Sequence, residues 1–289
     1  MAMSISYQHK CPICLDDTYF YFCHKDVFNN DVAIRKCINC GHGSYRSIWD
    51  ESHFREIYGA EYAIDYINST ETHRQRSEQY LLDLALLEEF LPKQINVLDF
   101  GCSSGEYLDS MPKLWHKSGY EVNPELVTIL ETTRPSYAIY NNVREIQSDF
   151  DLITLRGVIE HIPEHSYLIE FLNDRLRIGG FVYISATPDF SSPCAVQYKS
   201  YWGQIVTPEH IHQFTPASLQ ILLSKSGLVM KALYHPYMGT PYENWKLDSK
   251  DYLSNKEITD RARTNSREAE IRKHPFPGNM MSVIFEKIR

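Results

Sequence analysis

No apolar run in the sequence approaches the ~18–20 residues that a membrane-spanning helix requires, and the opening MAMSISYQHK lacks the apolar stretch of a secretory signal. Both absences predict a cytoplasmic chain without membrane association. Positive charge is scarce as well: 29 Lys and Arg stand against 37 Asp and Glu, a formal net charge of −8. Phosphate backbones are gripped by a surplus of cations on one face, so a small-molecule acceptor is the expected partner and nucleic acid is not. There is no internal repeat and no low-complexity tract, and 43% hydrophobic with 23% charged residues is the composition of a globular fold. The seven cysteines cannot all pair, and four of them fall in two tight pairs, which fits metal ligation in a reducing compartment better than a disulfide framework. Cys23, Cys102 and Cys194 are left as small apolar residues.

With 289 residues the chain can hold one large α/β domain and a small appendage. Residues 1–48 contain short strand-like segments, Tyr19 to Phe22 and Val32 to Lys36, around the turn-prone Asn29, Asn30 and Asp31. That is a hairpin between two Cys pairs. Residues 49–93 read as a helical connector, with an apolar stripe of Tyr80, Leu81, Leu84, Leu86, Leu87 and Phe90 that Pro92 ends. Over residues 94–289 the apolar strands INVLDF, SGYEV, SYAIY, DLITLRG, GGFVYISA, LVMKALY and MMSVIFEKI alternate with helical stretches, the signature of a layered α/β sheet. Residues 236–278, with four prolines around a charged helical segment, read as an insertion before the last strand: a lid, a substrate wall or a solvated helix.

Cys11-Pro-Ile-Cys14 and Cys37-Ile-Asn-Cys40 have the CxxC…CxxC form of a zinc ribbon. Four thiolates close a tetrahedral Zn²⁺ shell with no open position, so such a metal holds a small segment folded and takes no part in chemistry. His24 and His42 are nearby substitutes if one Cys is not a ligand.

The most informative stretch is Val97-Leu-Asp-Phe-Gly-Cys-Ser-Ser-Gly-Glu-Tyr-Leu108: a strand, an acid at its end, then glycines opening a helix. A dinucleotide-binding turn needs a further glycine where Ser103 stands, and Asp99 beside Gly101 and Gly105 repels a pyrophosphate. A phosphate-free nucleoside carrying positive charge suits the loop better. Glu121 ends the next strand about 20 residues on, where a carboxylate accepts both ribose hydroxyls.

Taken in order, LDFGCSSGEYL, GYEVNPE, FDLITLRGVIEHIPE, RIGGFVYISATP and EHIHQFTPASLQILLSKSGL resemble the successive motifs of class I, Rossmann-like methyltransferases dependent on S-adenosylmethionine (SAM). The chain is similar, more narrowly, to the bacterial group in which a CxxC…CxxC ribbon precedes that domain, a group associated with tailoring of sugars, surface polysaccharides and natural products. The resemblance implies a seven-stranded, mostly parallel sheet whose last strand is antiparallel, with SAM and a structural Zn²⁺ as cofactors. Carried over by position, it places the methionine part of SAM on the loop from Asp99 through Gly105, Cys102 included, with Tyr107 also among the cofactor residues. Glu121 takes the ribose, Val122 and Asn123 flank the adenine, and Arg156 and Gly157 lie beside the sulfonium. Asn141 and Asn142 stand where an adenine-contacting Asp is common, and Ser103 departs from the usual glycine.

Methyl transfer is an in-line displacement, for which an enzyme supplies orientation and, for a hydroxyl acceptor, a base. His161, in VIEHIPE, is one candidate base, and a turn-packing role is the other reading; the family uses an EH pair here as base or as part of a divalent-metal site in ubiquinone-pathway O-methyltransferases. His212 in EHIHQFT is the second candidate, with His210 able to reach the same cleft, although anchoring a turn explains both. Tyr58, Tyr62 and Tyr66, with Arg74, lie on a segment that covers the cofactor in related enzymes. The resulting expectation is O-methylation of a sugar, nucleotide-sugar or polysaccharide precursor. An RNA methyltransferase with a zinc module, a C- or N-methyltransferase and a non-catalytic SAM-binding protein are the alternatives.

Overall fold

The computed structural model describes residues 10–26, 29–45, 70–202, 204–236 and 280–289. Tyr58, Tyr62 and Tyr66 and nearly all of the 236–278 insertion lie outside these residues, and of Arg74 only the helical backbone is described. Two sheets organise the rest.

The larger sheet is built from β4 (Asn96–Phe100), β5 (His116–Tyr120), β6 (Ala138–Tyr140), β7 (Phe150–Arg156), β8 (Leu176–Pro188), β10 (Leu228–Tyr234) and β11 (Met280–Lys287). Its spatial order is β10-β11-β8-β7-β4-β5-β6. The pairs β4–β5, β4–β7, β5–β6 and β7–β8 are parallel, whereas β11 runs antiparallel to both its neighbours. All seven strand segments read from hydrophobic runs are present, and the antiparallel last strand is as expected. Central strands read as unbroken apolar runs because helices cover both faces: Val97, Leu98, Ile153, Leu155, Val182 and Ile184 are fully buried. The chain leaves β4 toward β5 on one side and returns as β7 on the other. That reversal opens a crevice at the carboxyl ends of β4 and β7, the place where sheets of this kind bind ligands.

Helix α1 (Thr70–Leu87) precedes the sheet and ends before Pro92, and Tyr80, Leu84 and Leu87 bury its apolar face against Val97 and Trp115. It is followed by α2 (Glu106–Ser110) after β4, α3 (Pro124–Thr133) after β5, α4 (Ser166–Arg175) after β7, α5 (Pro193–Tyr198) after β8 and α6 (Pro216–Ser224) before β10.

The second sheet contains β1 (Thr18–Lys25), β2 (Asp31–Cys37) and β3 (Gly43–Ser44), the hairpin expected between the Cys pairs. Its fourth strand, β9 (His212–Gln213), comes from the part of the chain that forms the larger sheet and pairs antiparallel with β3. The two sheets therefore share chain as well as core: Cys11, Ile13, Cys37 and Cys40 belong to the same buried cluster as Leu98, Phe100 and Phe214.

Candidate active site

A cleft of about 420 Å³ opens at the carboxyl ends of β4, β5 and β7. One half is made by the turn after β4. Gly101 has φ +82° and Gly105 φ +81°, a left-handed conformation that side chains disfavour, and a Cβ on Gly101 would lie 2.6 Å from Val158 Cγ2. Ser103, where the expected pattern has glycine, is itself left-handed at φ +48°. Glu121 fastens this turn: Oε2 accepts from the Ser103 amide at 2.8 Å and Oε1 from the Asn123 amide at 2.9 Å. The strand therefore stops at Tyr120, one residue before the glutamate that a longer β5 was expected to include. Burial pushes the Glu121 carboxyl up, and the amide hydrogen bonds act against that shift. Asp99 is 3% exposed, accepts from Thr154 Oγ1 at 2.6 Å, and is pushed up to about 6 by burial.

A buried polar wheel closes the cleft on the α1 side. Asp83 is fully buried and accepts from Gln79 Nε2 at 2.9 Å, Tyr183 OH at 2.8 Å and Arg156 Nε at 3.3 Å. Arg156 lies with its guanidinium 4.7 Å from the Tyr80 ring centre, and Arg76, one turn earlier on α1, also lines the cleft. Tyr107 OH and Ser103 Oγ, both of cleft-lining residues, are buried polar atoms with no hydrogen-bond partner among the described residues. Acids on one wall, arginines on another and orphaned hydroxyls between them match the charges of an amino-acid tail and a sulfonium.

The other half carries Glu160, His161 and His210, each offering a donor atom within 4.8 Å of the others. A single turn of 3₁₀ helix, Ile159–His161, presents the first two. Glu160 is 2% exposed, accepts from Thr187 Oγ1 at 3.0 Å, and is pushed up to about 7 by burial. His161 Nδ1 is 3.1 Å from the Glu209 carbonyl and His210 Nδ1 is 2.9 Å from the Gln204 carbonyl. A carbonyl only accepts, so both imidazoles carry hydrogen on Nδ1 and present the Nε2 lone pair. Burial lowers His161 to about 3 and His210 to about 4, and both are neutral at physiological pH. Ile162, Pro163, Tyr167, Val206 and Met280 add an apolar wall.

Of the residues expected from the sequence, Asp99, Gly101, Cys102, Tyr107, Glu121, Val122, Arg156, Gly157 and His161 line this cleft. Gly105, Asn123, Asn141 and His212 do not. Gly105 shapes the turn from behind; Asn123 is 4% exposed and caps α3, its Oδ1 accepting from Leu126 N; and Asn141 is exposed beyond β6. His212 is turned toward the cysteine module, because β9 pairs with β3 and its ring bonds His42 and the Pro163 carbonyl. From the same segment it is His210 that reaches the cleft. Arg76 and Glu209 were not singled out, although Arg76 sits at helical i, i−4 spacing from Tyr80.

The four cysteines stand in a zinc-ribbon-like arrangement. Sγ atoms are 3.6 Å apart for Cys11–Cys40, 3.4 Å for Cys14–Cys37 and 3.6 Å for Cys14–Cys40. A tetrahedron with Zn–S bonds of about 2.3 Å has sulfur–sulfur edges of about 3.8 Å. The Ile13 and Asn39 amides donate to Cys11 and Cys37 Sγ at 3.4 Å, stabilising thiolate charge. The histidine substitutes are not needed: His24 Nδ1 contacts the Ser200 carbonyl, and His42 turns to His212.

The sheet order and the glycine turn clasped by an acid define a class I, Rossmann-like methyltransferase. Residues 72–233, over half of the chain, match the methyltransferase-domain family, and the chain belongs to that family as an SAM-dependent methyltransferase. A ubiquinone biosynthesis O-methyltransferase of Xanthomonas axonopodis pv. citri is 26% identical over 172 residues, 54% of this chain and 70% of that protein. Its namesake from Paraburkholderia xenovorans is 23% identical over 130 residues, 42% of this chain. The chain spans about half (53%) of that second relative's length. Among solved structures, a possible histamine N-methyltransferase of Thermotoga maritima superposes with TM-score 0.53 at 15% identity, over 81% of this chain and 98% of that one. A Haloferax volcanii complex of the Trm112 activator with a methyltransferase also gives 0.53, at 12% identity, over 84% and 100%. These neighbours share the fold. The relatives named here act in ubiquinone biosynthesis, so the expected sugar acceptor and a role in polysaccharide biosynthesis gain no support from them. Among the described residues no helix is long and apolar enough to cross a membrane.

Proposed function

We propose that this protein transfers the SAM methyl group to a hydroxyl oxygen of a small acceptor, and that Glu160, His161 and His210 take up the displaced proton. The observation that carries this reading is the convergence of those three groups on the cleft that also holds Asp99 and Glu121. SAM would lie with its tail on the turn after β4, its ribose on Glu121 and its base beside Val122. The acceptor oxygen attacks the methyl carbon as the carbon–sulfur bond breaks, leaving S-adenosylhomocysteine. The hydroxyl proton passes through Nε2 of His161, which burial keeps a weak base, and comes to rest on the Glu160 carboxylate, raised to about 7 and so poised near neutrality.

A phenolic hydroxyl fits best. Its proton is far easier to remove than that of a sugar alcohol, with a pKa of about 10, and the Ile162–Pro163–Tyr167 wall suits a ring. The naming of the relatives for ubiquinone biosynthesis supports the same acceptor class. Transfer of label from SAM to a panel of phenols and sugars tests it: phenol labelling that falls in Glu160→Gln and His161→Gln is the expected outcome, and labelling of sugars alone would overturn it.

The proximity of three donor atoms within 4.8 Å favours a second reading, in which Glu160, His161 and His210 hold a divalent cation that lowers the acceptor's pKa. Elemental analysis before and after chelation separates the two. Cys11, Cys14, Cys37 and Cys40 would hold a Zn²⁺ ion, structural because four thiolates fill its shell.

A further inference from the structure

A chain of buried polar contacts runs from the cysteine module to the turn that carries Glu160 and His161. His42 lies two residues beyond Cys40, is 0% exposed, and sets its Nε2 3.1 Å from Nδ1 of His212. Nε2 of His212 is 3.2 Å from the carbonyl of Pro163. Because that carbonyl only accepts, His212 donates through Nε2, and its Nδ1 accepts from His42. Pro163 closes the turn whose own hydrogen bonds are His161 N to Val158 O and Ile162 N to Ile159 O. His165 steadies the same turn, its Nε2 3.1 Å from the Ile159 carbonyl and its ring 4.5 Å from that of His212.

The module is seated closely enough to transmit such a hold. Thr215 Oγ1, at the cap of α6, donates to the Cys40 carbonyl at 2.7 Å, and Tyr45 OH donates to the Pro208 carbonyl at 2.7 Å. A Cβ on Gly43 would lie 2.5 Å from Phe190, so β3 rests directly on the catalytic half. An apolar residue would fill the His42 position without burying an imidazole whose Nδ1 has no partner among the described residues. What histidine adds is direction: one donor aimed at one acceptor.

We propose that His42 and His212 are positioning residues for methyl transfer, through which the cysteine module holds the Glu160–His161 turn in register with the cofactor. The functional consequence rests on the deprotonating role assigned to that turn; the mechanical link does not. Hydrogen exchange by mass spectrometry on the zinc-loaded full chain tests it, alongside zinc content and calorimetric affinity for S-adenosylhomocysteine. In His212→Asn, which keeps an acceptor near the Nδ1 position but loses the donor to Pro163, exchange over residues 158–165 rises about tenfold, as expected for one buried hydrogen bond lost. His212→Gln places an amide nitrogen near Nε2 and retains protection there. His42→Leu, which touches neither Pro163 nor the cleft, also raises exchange, with zinc content and S-adenosylhomocysteine affinity unchanged.

Unchanged exchange at 158–165 in His212→Asn and His42→Leu overturns the proposal. So does exchange that rises evenly over the whole sheet, or loss of zinc, since the module would then be only a staple. Wild-type protein that binds no S-adenosylhomocysteine would contradict the functional reading while leaving the exchange comparison intact.

Discussion

The two halves of the cleft are built in different ways. The cofactor half is the more local: one turn within residues 99–123 is clasped by Glu121 through two backbone amides, reaching back only 18 residues to Ser103, and Asp99 takes one distant partner, Thr154. The acceptor half is assembled from afar. His161 leans on Glu209, 48 residues away, and the turn beneath it is tied at Pro163 to His212, 49 residues on, which in turn bonds His42, 170 residues from His212 in sequence. A local site survives changes elsewhere in the chain, whereas a site gathered by tertiary contacts depends on every element that gathers it.

The largest effect that sharpens this contrast should come from His161→Ala. Removing the imidazole proposed to carry the proton should lower turnover by about 10²- to 10⁴-fold while S-adenosylhomocysteine affinity stays within about twofold. Steady-state kinetics beside calorimetry checks this, and equal losses in both would merge the two halves.

That asymmetry also explains what could be read from sequence. The seven strands were legible as apolar runs because both faces of the large sheet are covered, and the Cys pairs declared themselves by spacing. Asp99, Gly101 and Glu121 were legible because a strand-end acid, a turn and a second strand-end acid follow each other along one short segment. His210 and His212 were not separable: two residues apart, they point one into the cleft and one toward His42, a choice made by the pairing of β9 with β3. Asn123 had the position of an adenine contact, yet its side chain caps α3.

Next in size is Asp83→Ala, which leaves the Arg156 guanidinium and the Tyr183 hydroxyl buried without their shared acceptor. Denaturant unfolding should show a loss of about 3–5 kcal/mol, as for other broken buried pairs. A loss below about 1 kcal/mol would mean that the wheel does not hold α1 against the cofactor half.

Acidification gives a smaller, graded effect. His161 and His212 are lowered to about 3, and His165 and His210 to about 4, all by burial. The unfolded chain binds protons on these rings below its ordinary pKa of about 6.5 and the folded chain does not, so their stabilisation is full above that value and is lost toward pH 3–4. Glu160, raised to about 7, and Asp99, raised to about 6, act oppositely: their contribution is full below the unfolded value near 4.5 and 3.8 and is lost as pH rises through the folded one. The two sets oppose each other between pH 3.8 and 6.5, where four imidazoles outnumber two carboxyls at about 1.4 kcal/mol per pH unit each, so stability measured against pH should fall on acidification through that window.

In the function proposed above, a glycine turn and a single glutamate clasp SAM independently of the acceptor half. Calorimetric titration of S-adenosylhomocysteine into wild type, Glu121→Ala and His161→Ala tests it most directly. One site per chain is expected, with an affinity lowered by about 10- to 100-fold in Glu121→Ala through the lost charged hydrogen bonds and unchanged in His161→Ala. Wild-type protein that takes up no ligand, or a Glu121→Ala variant that binds as well as wild type, would contradict it.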